Sequence, residues 1–485
     1  MMKQIKKILL VNPRLNAWSP NIWVPLGLAY IAAVLEQGGY VVRIIDLNVR
    51  QLSKGKLIGE VEQADVVGIG GMITEYSEVL GLIDFVKKVD VKPVILGGGL
   101  ATALPREILE VSQADFAVIG EGEKTIVGLL EAMENFGYGL ADIRGIAYKS
   151  NGEIIINEPV EHIADLSSIP NPARHLLDMR RYVMDHFTNL GLTVRNFGKL
   201  RSTNLITSRG CPYSCNFCFK GMWGHKFRRR SPQNVVEEMV ALSIDYNING
   251  FFFLDDSFVS DKEWVLEFCK LLKERQLKVA WCCNGRVNLV TKELLEAMYD
   301  AGCRGVAYGI ESGSQQVLDY IGKGITLLQS RLAVKWTKQA GMNATGFFMI
   351  GMLGETKVTI TETIDFAREL DLDFYGFSLV NPLIGTRLYN SVVDAGLVPR
   401  VTTSLGDWSL CVNANLTQDC TDAELAGFLS KAFLELYIKR RFGRYYFLNP
   451  HLLLGQIKLL LSMRNTKHIR TLIRKAIAII KVSRE

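Results

Sequence analysis

The sequence predicts an α/β protein in which a Rossmann-like open parallel sheet is followed by a partial (β/α)6 barrel and a helical C-terminal extension. Three observations support this fold class. Short apolar runs alternate with helical stretches over residues 5–145 and again over 203–388. Glycine or polar turns follow most of these runs. The 485 residues, 48% of them hydrophobic, exceed one ordinary domain and suffice for more than one core.

The first region contains five apolar runs that predict strands of a parallel sheet. The strands are expected at 7–12, 40–46, 66–70, 93–97 and 116–119, with helices at 27–38, 75–88 and 123–135. Turns of small or polar residues follow four of the strands. Ligands of open α/β sheets bind at the carboxyl ends of the strands, so this region is predicted to be a binding domain.

The changes in pattern along the chain predict four segments. We place the binding domain at 1–145, a connector at 146–200, the partial barrel at 201–395 and a helical, basic region at 396–485. The connector opens with a hairpin-like pair around Asn151-Gly152, a strong turn dipeptide, and continues through a proline-containing stretch without a sustained period.

The second region repeats the alternation six times. Strands are expected at 203–208, 250–255, 278–284, 304–310, 344–350 and 374–380, and helices at 232–247, 261–275, 291–301, 327–340 and 358–370. A complete barrel of this type needs eight units. Six units therefore predict a partial barrel that is open on one side.

The net charge of +6 is concentrated at the C-terminus. Residues 436–485 carry +11, which leaves −5 for residues 1–435, so a nucleic-acid partner is not expected. No apolar run reaches the roughly 18–20 residues of a membrane span. The basic, apolar tail predicts either a helical cap or peripheral contact with the inner face of a membrane. A cytoplasmic protein is expected.

Three of the nine cysteines, Cys211, Cys215 and Cys218, lie within eight residues, on a loop that directly follows the first barrel strand. Barrel enzymes keep their chemistry at this end of the strands. Three thiolates can bind three irons of a cubane cluster and leave the fourth iron open for a small chelating molecule. The alternative is a zinc site, which needs a fourth ligand such as His225. Free thiols and a metal cluster both fit a reducing compartment.

The C-x3-C-x2-C spacing, with Phe217 before the last cysteine, resembles the signature of radical S-adenosylmethionine (SAM) enzymes. The α/β domain ahead of it is similar to the cobalamin-binding domain of the B12-binding radical enzymes. Together the two resemblances span about 80% of the chain. They imply a [4Fe-4S] cluster, SAM and cobalamin as cofactors, and an external electron donor such as flavodoxin or ferredoxin.

The resemblance also implies roles for individual residues. Cys211, Cys215 and Cys218 correspond to the cluster ligands. A looser counterpart of the family's fifth-strand pattern runs from Gly346 to Glu355. The residues implied to bind SAM lie on the cysteine loop or follow the second, third and fourth barrel strands: Phe217, Asp255, Asp256, Ser257, Arg286, Glu311 and Ser312.

The implied cobalamin site is formed by the turns that follow the first, third, fourth and fifth strands of the binding domain. Glycine backbone in these turns would lie against the corrin ring and its nucleotide tail. The residues are Asn12, Gly71, Thr74, Gly97, Gly98, Gly99, Gly120, Glu121, Gly122 and Glu123.

Three functions follow from these patterns. The first is a cobalamin-dependent radical SAM methyltransferase that transfers a methyl group to an unactivated carbon of a small-molecule or lipid-like substrate. The second is an anaerobic oxidative cyclase acting on a tetrapyrrole. The third is a non-catalytic corrinoid-binding or iron–sulfur protein. The sequence does not identify the substrate, because pocket residues come from several loops.

Overall fold

The computed structural model describes residues 5–15, 22–49, 53–135, 138–184, 200–400, 414–417, 419–432 and 435–436. The chain divides into two compact units, residues 1–422 and 423–485. Both predicted sheets lie in the first unit, and the predicted α/β class is confirmed. A helix spans Asp422–Ala432. The basic tail from residue 437 onward, with its predicted helices, lies outside the described residues.

The N-terminal sheet has seven strands in the order β2-β1-β3-β4-β5-β6-β7. The first five strands pair in parallel, as predicted: β1 (Lys7–Asn12), β2 (Val41–Asp46), β3 (Val66–Gly70), β4 (Val94–Gly97) and β5 (Phe116–Val118). Their helices are α1 (Leu26–Gln37), α2 (Lys54–Gln63), α3 (Tyr76–Val89), α4 (Gly99–Ala103), α5 (Pro105–Val111) and α6 (Gly122–Glu134). The order of the strands reverses at β1 and β3, where such sheets bind ligands.

The hairpin around Asn151-Gly152 extends this sheet beyond residue 145. Its strands β6 (Ile146–Ser150) and β7 (Glu153–Ile156) add to β5 in antiparallel fashion. The inward side chains of β6, Ile146 and Tyr148, join the apolar core of the first domain. This burial explains why the hairpin pairs with the sheet, although our sequence reasoning assigned it to the connector.

The second sheet contains six parallel strands in the order β15-β14-β13-β12-β11-β8, a half-barrel as predicted. The strands are β8 (Ser202–Leu205), β11 (Gly250–Phe253), β12 (Ala280–Gly285), β13 (Cys303–Glu311), β14 (Asn343–Ile350) and β15 (Phe374–Leu379). The helices are α7 (Pro232–Tyr246), α8 (Lys262–Glu274), α9 (Lys292–Asp300), α10 (Gln315–Tyr320), α11 (Leu327–Gln339), α12 (Lys357–Glu369) and α13 (Arg387–Asp394).

A two-stranded antiparallel ribbon follows β8. Its strands, β9 (Ser208–Arg209) and β10 (Arg228–Arg229), enclose the loop that carries the three clustered cysteines. Our sequence reasoning expected one strand over 203–208 and did not predict this ribbon. Two residues per strand are too few for a hydrophobic period to reveal, so the pairing depends on tertiary contacts.

An aromatic cluster fills the space between helix α8 and the strands β11 and β12. Phe253, Phe258, Phe268 and Trp281 contact one another with ring centroids 4.7–5.7 Å apart. Buried aromatic groups of this size contribute strongly to the core and prefer such tilted and edge-to-face geometries. The cluster packs α8 against the carboxyl end of β11 and the first residues of β12.

No helix in the described part of the chain is long and apolar enough to cross a membrane.

Candidate functional site

The loop with Cys211, Cys215 and Cys218 is held by backbone hydrogen bonds from several parts of the barrel. The Asn216 amide donates to Ile321 O at 2.9 Å, and the Leu388 amide donates to Asn216 O at 2.9 Å. Arg387 donates to the carbonyl of Ser214. The loop is therefore fixed by the segments that follow β13 and β15, and its three thiols remain free and half-buried.

Gly210, directly before Cys211, allows the ribbon to close. Its φ of +81° lies in the left-handed region, and a Cβ here would collide with the carbonyl oxygen of Lys226. Only glycine combines this backbone conformation with so close an approach. The ribbon therefore requires glycine as the middle residue of Arg209-Gly210-Cys211.

Two cations lie beside the cysteines. The Arg286 guanidinium stacks 3.5 Å from the ring centroid of Tyr213, with Nη1 4.0 Å from Cys215 Sγ. Burial raises the pKa of the Cys218 thiol, and the Lys220 ammonium opposes this effect. Burial would lower the pKa of Lys220, but Cys218 and Cys211 raise it above its usual value. Lys220 thus favours the ionised form of the Cys218 thiol.

The donor set of this loop fits a cluster better than a single ion. Within the described ranges, no three Cys, His, Asp or Glu side chains surround one point as ligands of one metal ion. A cubane requires each thiolate on a different iron, so its three cysteines need not converge on one point. Three free thiols on one fixed loop, with two cations beside them, suit an anionic iron–sulfur cluster.

Asp255 forms hydrogen bonds with residues at the start of the cysteine loop. Its carboxylate is fully buried and accepts hydrogen bonds from Thr207 N at 3.1 Å, Thr207 Oγ1 at 2.7 Å and Ser208 Oγ. These bonds tie the end of β11 to the start of the cysteine loop. Three of these bonds fall on Oδ1, whereas Oδ2 accepts only from the Thr207 amide, at 3.2 Å, so binding of the SAM ammonium group by Asp255 stays a prediction.

Asp256 and Ser257, which follow Asp255, differ in their exposure to solvent. The Asp256 side chain is exposed, yet the protein packed around it raises its pKa, while Lys220 lowers it. Ser257 is buried, and its Oγ has no hydrogen-bond partner in the described part of the chain. Phe217 is half-buried. Asp256 and Ser257 therefore remain candidates for binding a polar ligand beside the loop.

Glu311, at the end of β13, pairs with a lysine that our sequence reasoning missed. Lys323 Nζ lies 2.7 Å from Glu311 Oε1, and both side chains are almost completely buried. Glu311 adopts φ +68°, which is unusual for a residue with a side chain. The pair folds over Gly309, where a Cβ would lie 2.8 Å from Lys323 Nζ. Strained backbone held by a buried ion pair is typical of functional sites.

Lys323 also connects this pair to the cysteine loop. Its carbonyl accepts a hydrogen bond from Arg286 Nη2, on the side chain that stacks on Tyr213. The sequence signal for Lys323 is its position between two glycines, Gly322 and Gly324. In the structure both glycines adopt φ +66°. Ser312, in contrast, is occupied: its Oγ lies 2.9 Å from Thr363 Oγ1 and accepts from the Ser314 amide.

Glu355, on the turn between β14 and α12, is buried with one oxygen unpaired. Its Oε2 accepts from the amides of Gly351 at 2.7 Å and Met352 at 2.8 Å, while Oε1 has no partner among the described residues. Burial raises its pKa to about 7, although the two amides lower it. Its charge is thus poorly compensated at neutral pH.

A Glu355→Gln variant is expected to change the pH dependence of stability. Below pH 4.5 the carboxyl group is protonated in both folded and unfolded states. As the pH rises from there to about 7, the unfolded state ionises first, so the unfolding free energy of the parent protein falls. The glutamine side chain of the variant does not ionise, so the variant lacks this loss of about 3 kcal/mol in unfolding free energy. Denaturant unfolding from pH 4.5 to 8 measures it, with exposed Glu369→Gln as control. Parallel pH profiles of Glu355→Gln and the parent would contradict this expectation.

The predicted cobalamin turns meet at one edge of the N-terminal sheet. Gly98, at φ +86°, approaches Gly71 so closely that a Cβ would lie 2.8 Å from Gly71 O. The Leu100 amide donates to Gly71 O, and the Gly120 amide donates to Thr102 Oγ1. The backbone of Gly71, Gly97, Gly98, Gly99 and Gly120 thus lines one edge, with exposed Thr74 beside it.

The side chains at the ends of this edge are already engaged. Asn12 Nδ2 donates to Asp46 Oδ1 at 3.0 Å. Gly122 serves packing, since a Cβ there would lie 3.1 Å from Ile31 Cδ1. Glu121 and Glu123 form buried ion pairs with Arg209 and Arg228 of the ribbon. Their carboxylates therefore bind protein, which leaves only backbone of this turn for a ligand.

Comparisons with known proteins agree with this geometry. The sequence matches the Radical SAM superfamily over residues 205–367 and the B12 binding domain over 15–130. It is 31% identical to an uncharacterised methyltransferase of Pyrococcus horikoshii over 90% of this chain and 93% of that protein. This chain is a B12-binding radical SAM enzyme.

Two further similarities extend over much of the B12-binding radical SAM enzyme. The cytidylyl-2-hydroxyethylphosphonate methyltransferase of Streptomyces wedmorensis is 30% identical over 82% of this chain and 83% of its own length. The fold resembles that of the cobalamin-dependent SAM radical enzyme OxsB, with a TM-score of 0.74 and 18% identity over 98% of this chain and 71% of OxsB. The cofactors of the enzyme are a [4Fe-4S] cluster, SAM and cobalamin.

Proposed function

We propose that the enzyme is a cobalamin-dependent radical SAM methyltransferase that methylates an unactivated carbon of a small-molecule or lipid-like substrate. The two relatives described above, at 31% and 30% identity, are both named methyltransferases. The observation that carries the proposal is the contact between the two candidate sites. A Cβ on Gly120 would lie 3.8 Å from the carbonyl of Met222, four residues after Cys218.

In this proposal Cys211, Cys215 and Cys218 hold the cluster, and the backbone of the glycine turns supports cobalamin. When bound, these groups supply a carbon radical and a transferable methyl group, while the protein supplies position and electrostatics. Lys220 and Arg286 stabilise negative charge at the thiolates.

The SAM site in this proposal combines charges of both signs at the mouth of the half-barrel. Glu311 accepts hydrogen bonds from the ribose hydroxyl groups, and Lys323, 2.7 Å away, orients that carboxylate. Arg286 and Lys323 offer cations to the methionine carboxylate, while Asp256 is the acid available to its ammonium group. An electron donor such as flavodoxin or ferredoxin reduces the cluster from outside.

The deciding experiment is anaerobic reconstitution with iron, sulfide and cobalamin, followed by incubation with SAM, a reductant and candidate substrates. Methyl transfer predicts 5′-deoxyadenosine, S-adenosylhomocysteine and a methylated product. Cyclisation of a tetrapyrrole instead predicts a new ring without methyl uptake. A purely binding protein predicts no 5′-deoxyadenosine after reduction. Either of the last two results would overturn the methyltransferase proposal.

A Glu311→Gln variant is expected to bind SAM at least about tenfold more weakly, because hydrogen bonds to charged groups contribute about 1.5–3 kcal/mol. Calorimetric titration of the reconstituted protein with SAM measures the change. Glu369→Gln is the control, since Glu369 forms a similar pair with Arg331 on the exposed surface. Equal affinity of Glu311→Gln and the parent would remove Glu311 from the SAM site.

A further inference from the structure

The turn after β5 and the ribbon β9–β10 meet in a buried cluster of four charges, which we call the interdomain ion-pair cluster. Its members are Glu121, Glu123, Arg209 and Arg228, each less than a tenth exposed. Arg209 lies 3.2 Å from Glu121 and 2.5 Å from Glu123. Arg228 Nη1 lies 2.8 Å and 2.9 Å from the two oxygens of Glu121. Two carboxylates and two guanidinium groups leave the cluster electrically balanced.

The hydrogen bonds of Glu121 define a single geometry. Its carboxylate accepts from both arginines, and its Oε2 also accepts from the amide of Ile163 at 2.7 Å. Arg228 donates in turn to the carbonyls of Ile163 and Trp223. Buried ion pairs give little net stability, because desolvation offsets the attraction, but removal of one partner leaves an uncompensated charge. Such a cluster therefore fixes orientation more than it adds stability.

The place of these residues in the chain connects the two candidate cofactor sites. Arg209 stands two residues before Cys211, and Arg228 ten residues after Cys218, so the arginines bracket the cysteine loop. Glu121 directly follows Gly120 on the cobalamin-type turn, and Glu123 stands two residues after Glu121. None of the four carboxylate or guanidinium groups is left free for a cofactor.

We propose that Glu121 and Glu123 are positioning residues that, through Arg209 and Arg228, hold the cysteine loop at a set distance from the cobalamin-type turn. This inference rests on the proposed function, because it assigns the cluster the task of fixing the separation between two cofactors. The ion pairs of Arg209 thus link the segment Glu121-Gly122-Glu123 of the first domain to Arg209-Gly210-Cys211 of the second.

Hydrogen exchange of the full-length protein tests this proposal without any cofactor or substrate. In Glu121→Gln, amides of residues 210–228 are expected to exchange at least tenfold faster, because two arginines lose charge compensation. Glu123→Gln, which loses the contact with Arg209 alone, is expected to show a smaller increase and keeps the test open if the first variant folds poorly.

Glu238→Gln is the matched control. Glu238 is equally buried and accepts from two arginines, Arg174 at 3.0 Å and Arg230 at 2.5 Å, but it lies on α7. We expect faster exchange there in residues 232–246 and unchanged exchange in 210–228. Equal acceleration of 210–228 in Glu121→Gln and Glu238→Gln, or none in either, would overturn the proposal.

A second measurement uses the reconstituted protein and separates the two proposals. Electron paramagnetic resonance of the reduced cluster and cob(II)alamin is expected to show a magnetic interaction in the parent and in Glu238→Gln, and a weaker one in Glu121→Gln. An undiminished interaction in Glu121→Gln would overturn the positioning role. A parent protein that takes up neither cofactor would contradict the proposed function. The hydrogen-exchange result alone would then decide the role of the interdomain ion-pair cluster.

Discussion

A Gly210→Ala variant is expected to lose about 4 kcal/mol of unfolding free energy and most of its capacity for the cluster. The left-handed backbone costs a residue with a Cβ about 1–2 kcal/mol. The collision with the Lys226 carbonyl adds about 1–3 kcal/mol, since it is made by backbone that cannot rotate away. The ribbon must open to relieve it, which moves Cys211. Thermal unfolding and iron content of the reconstituted protein measure the two effects.

Gly139→Ala is the control for backbone strain alone. Gly139 has φ +86°, and none of the described residues has an atom in contact with the place that a Cβ would take, so only the conformational cost of about 1 kcal/mol is expected. Its iron content should equal that of the parent. If Gly210→Ala were no less stable than Gly139→Ala, the close approach of Gly210 to the Lys226 carbonyl would not explain why glycine is required at position 210.

Replacement of Cys215 by alanine is expected to reduce both bound iron and 5′-deoxyadenosine formation to background. The proposal assigns this thiolate to one iron, and the alanine side chain has no donor atom to replace it. Iron and sulfide analysis after anaerobic reconstitution, followed by the assay with SAM and dithionite, measures the loss. The unfolding temperature should change little, since the Cys215 side chain is only half-buried.

Cys269→Ala is the matched substitution outside the loop. Cys269 lies on α8, and burial raises its pKa to about 12, so its thiol stays protonated and is not a metal ligand. This variant should keep full iron content and activity. Full iron content in Cys215→Ala, or background iron in Cys269→Ala, would contradict the assignment of the cluster to residues 211–218.

The strands of both sheets were largely predictable, because buried parallel strands have strong local patterns. The predicted run at 66–70 coincides with β3, and the run at 374–380 ends one residue beyond β15. The short elements were not predicted. Helices α4 and α10 have five and six residues, which is less than two turns, so the helical period of the sequence cannot indicate them.

The site was predictable where chemistry depends on spacing along the chain. The three cysteines lie within eight residues on one loop, so their proximity follows from covalent geometry. Lys323 was not predictable in this way. It meets Glu311 only because the segment after α10 returns to the end of β13, twelve residues later in the chain.

The order of residues was thus sufficient for the fold class, the two-domain order and the cysteine loop, since each has a short-range signature. Long-range packing alone determined which acids remain available. The sequence predicts Asp255, Glu121 and Glu123 as ligand-binding carboxylates, yet each accepts hydrogen bonds from protein donors that lie 42 to 107 residues away. A buried carboxylate pairs with the hydrogen-bond donors that the fold places beside it. Those donors come from distant parts of the chain, so the sequence alone does not show whether the carboxylate binds a cofactor or the protein itself.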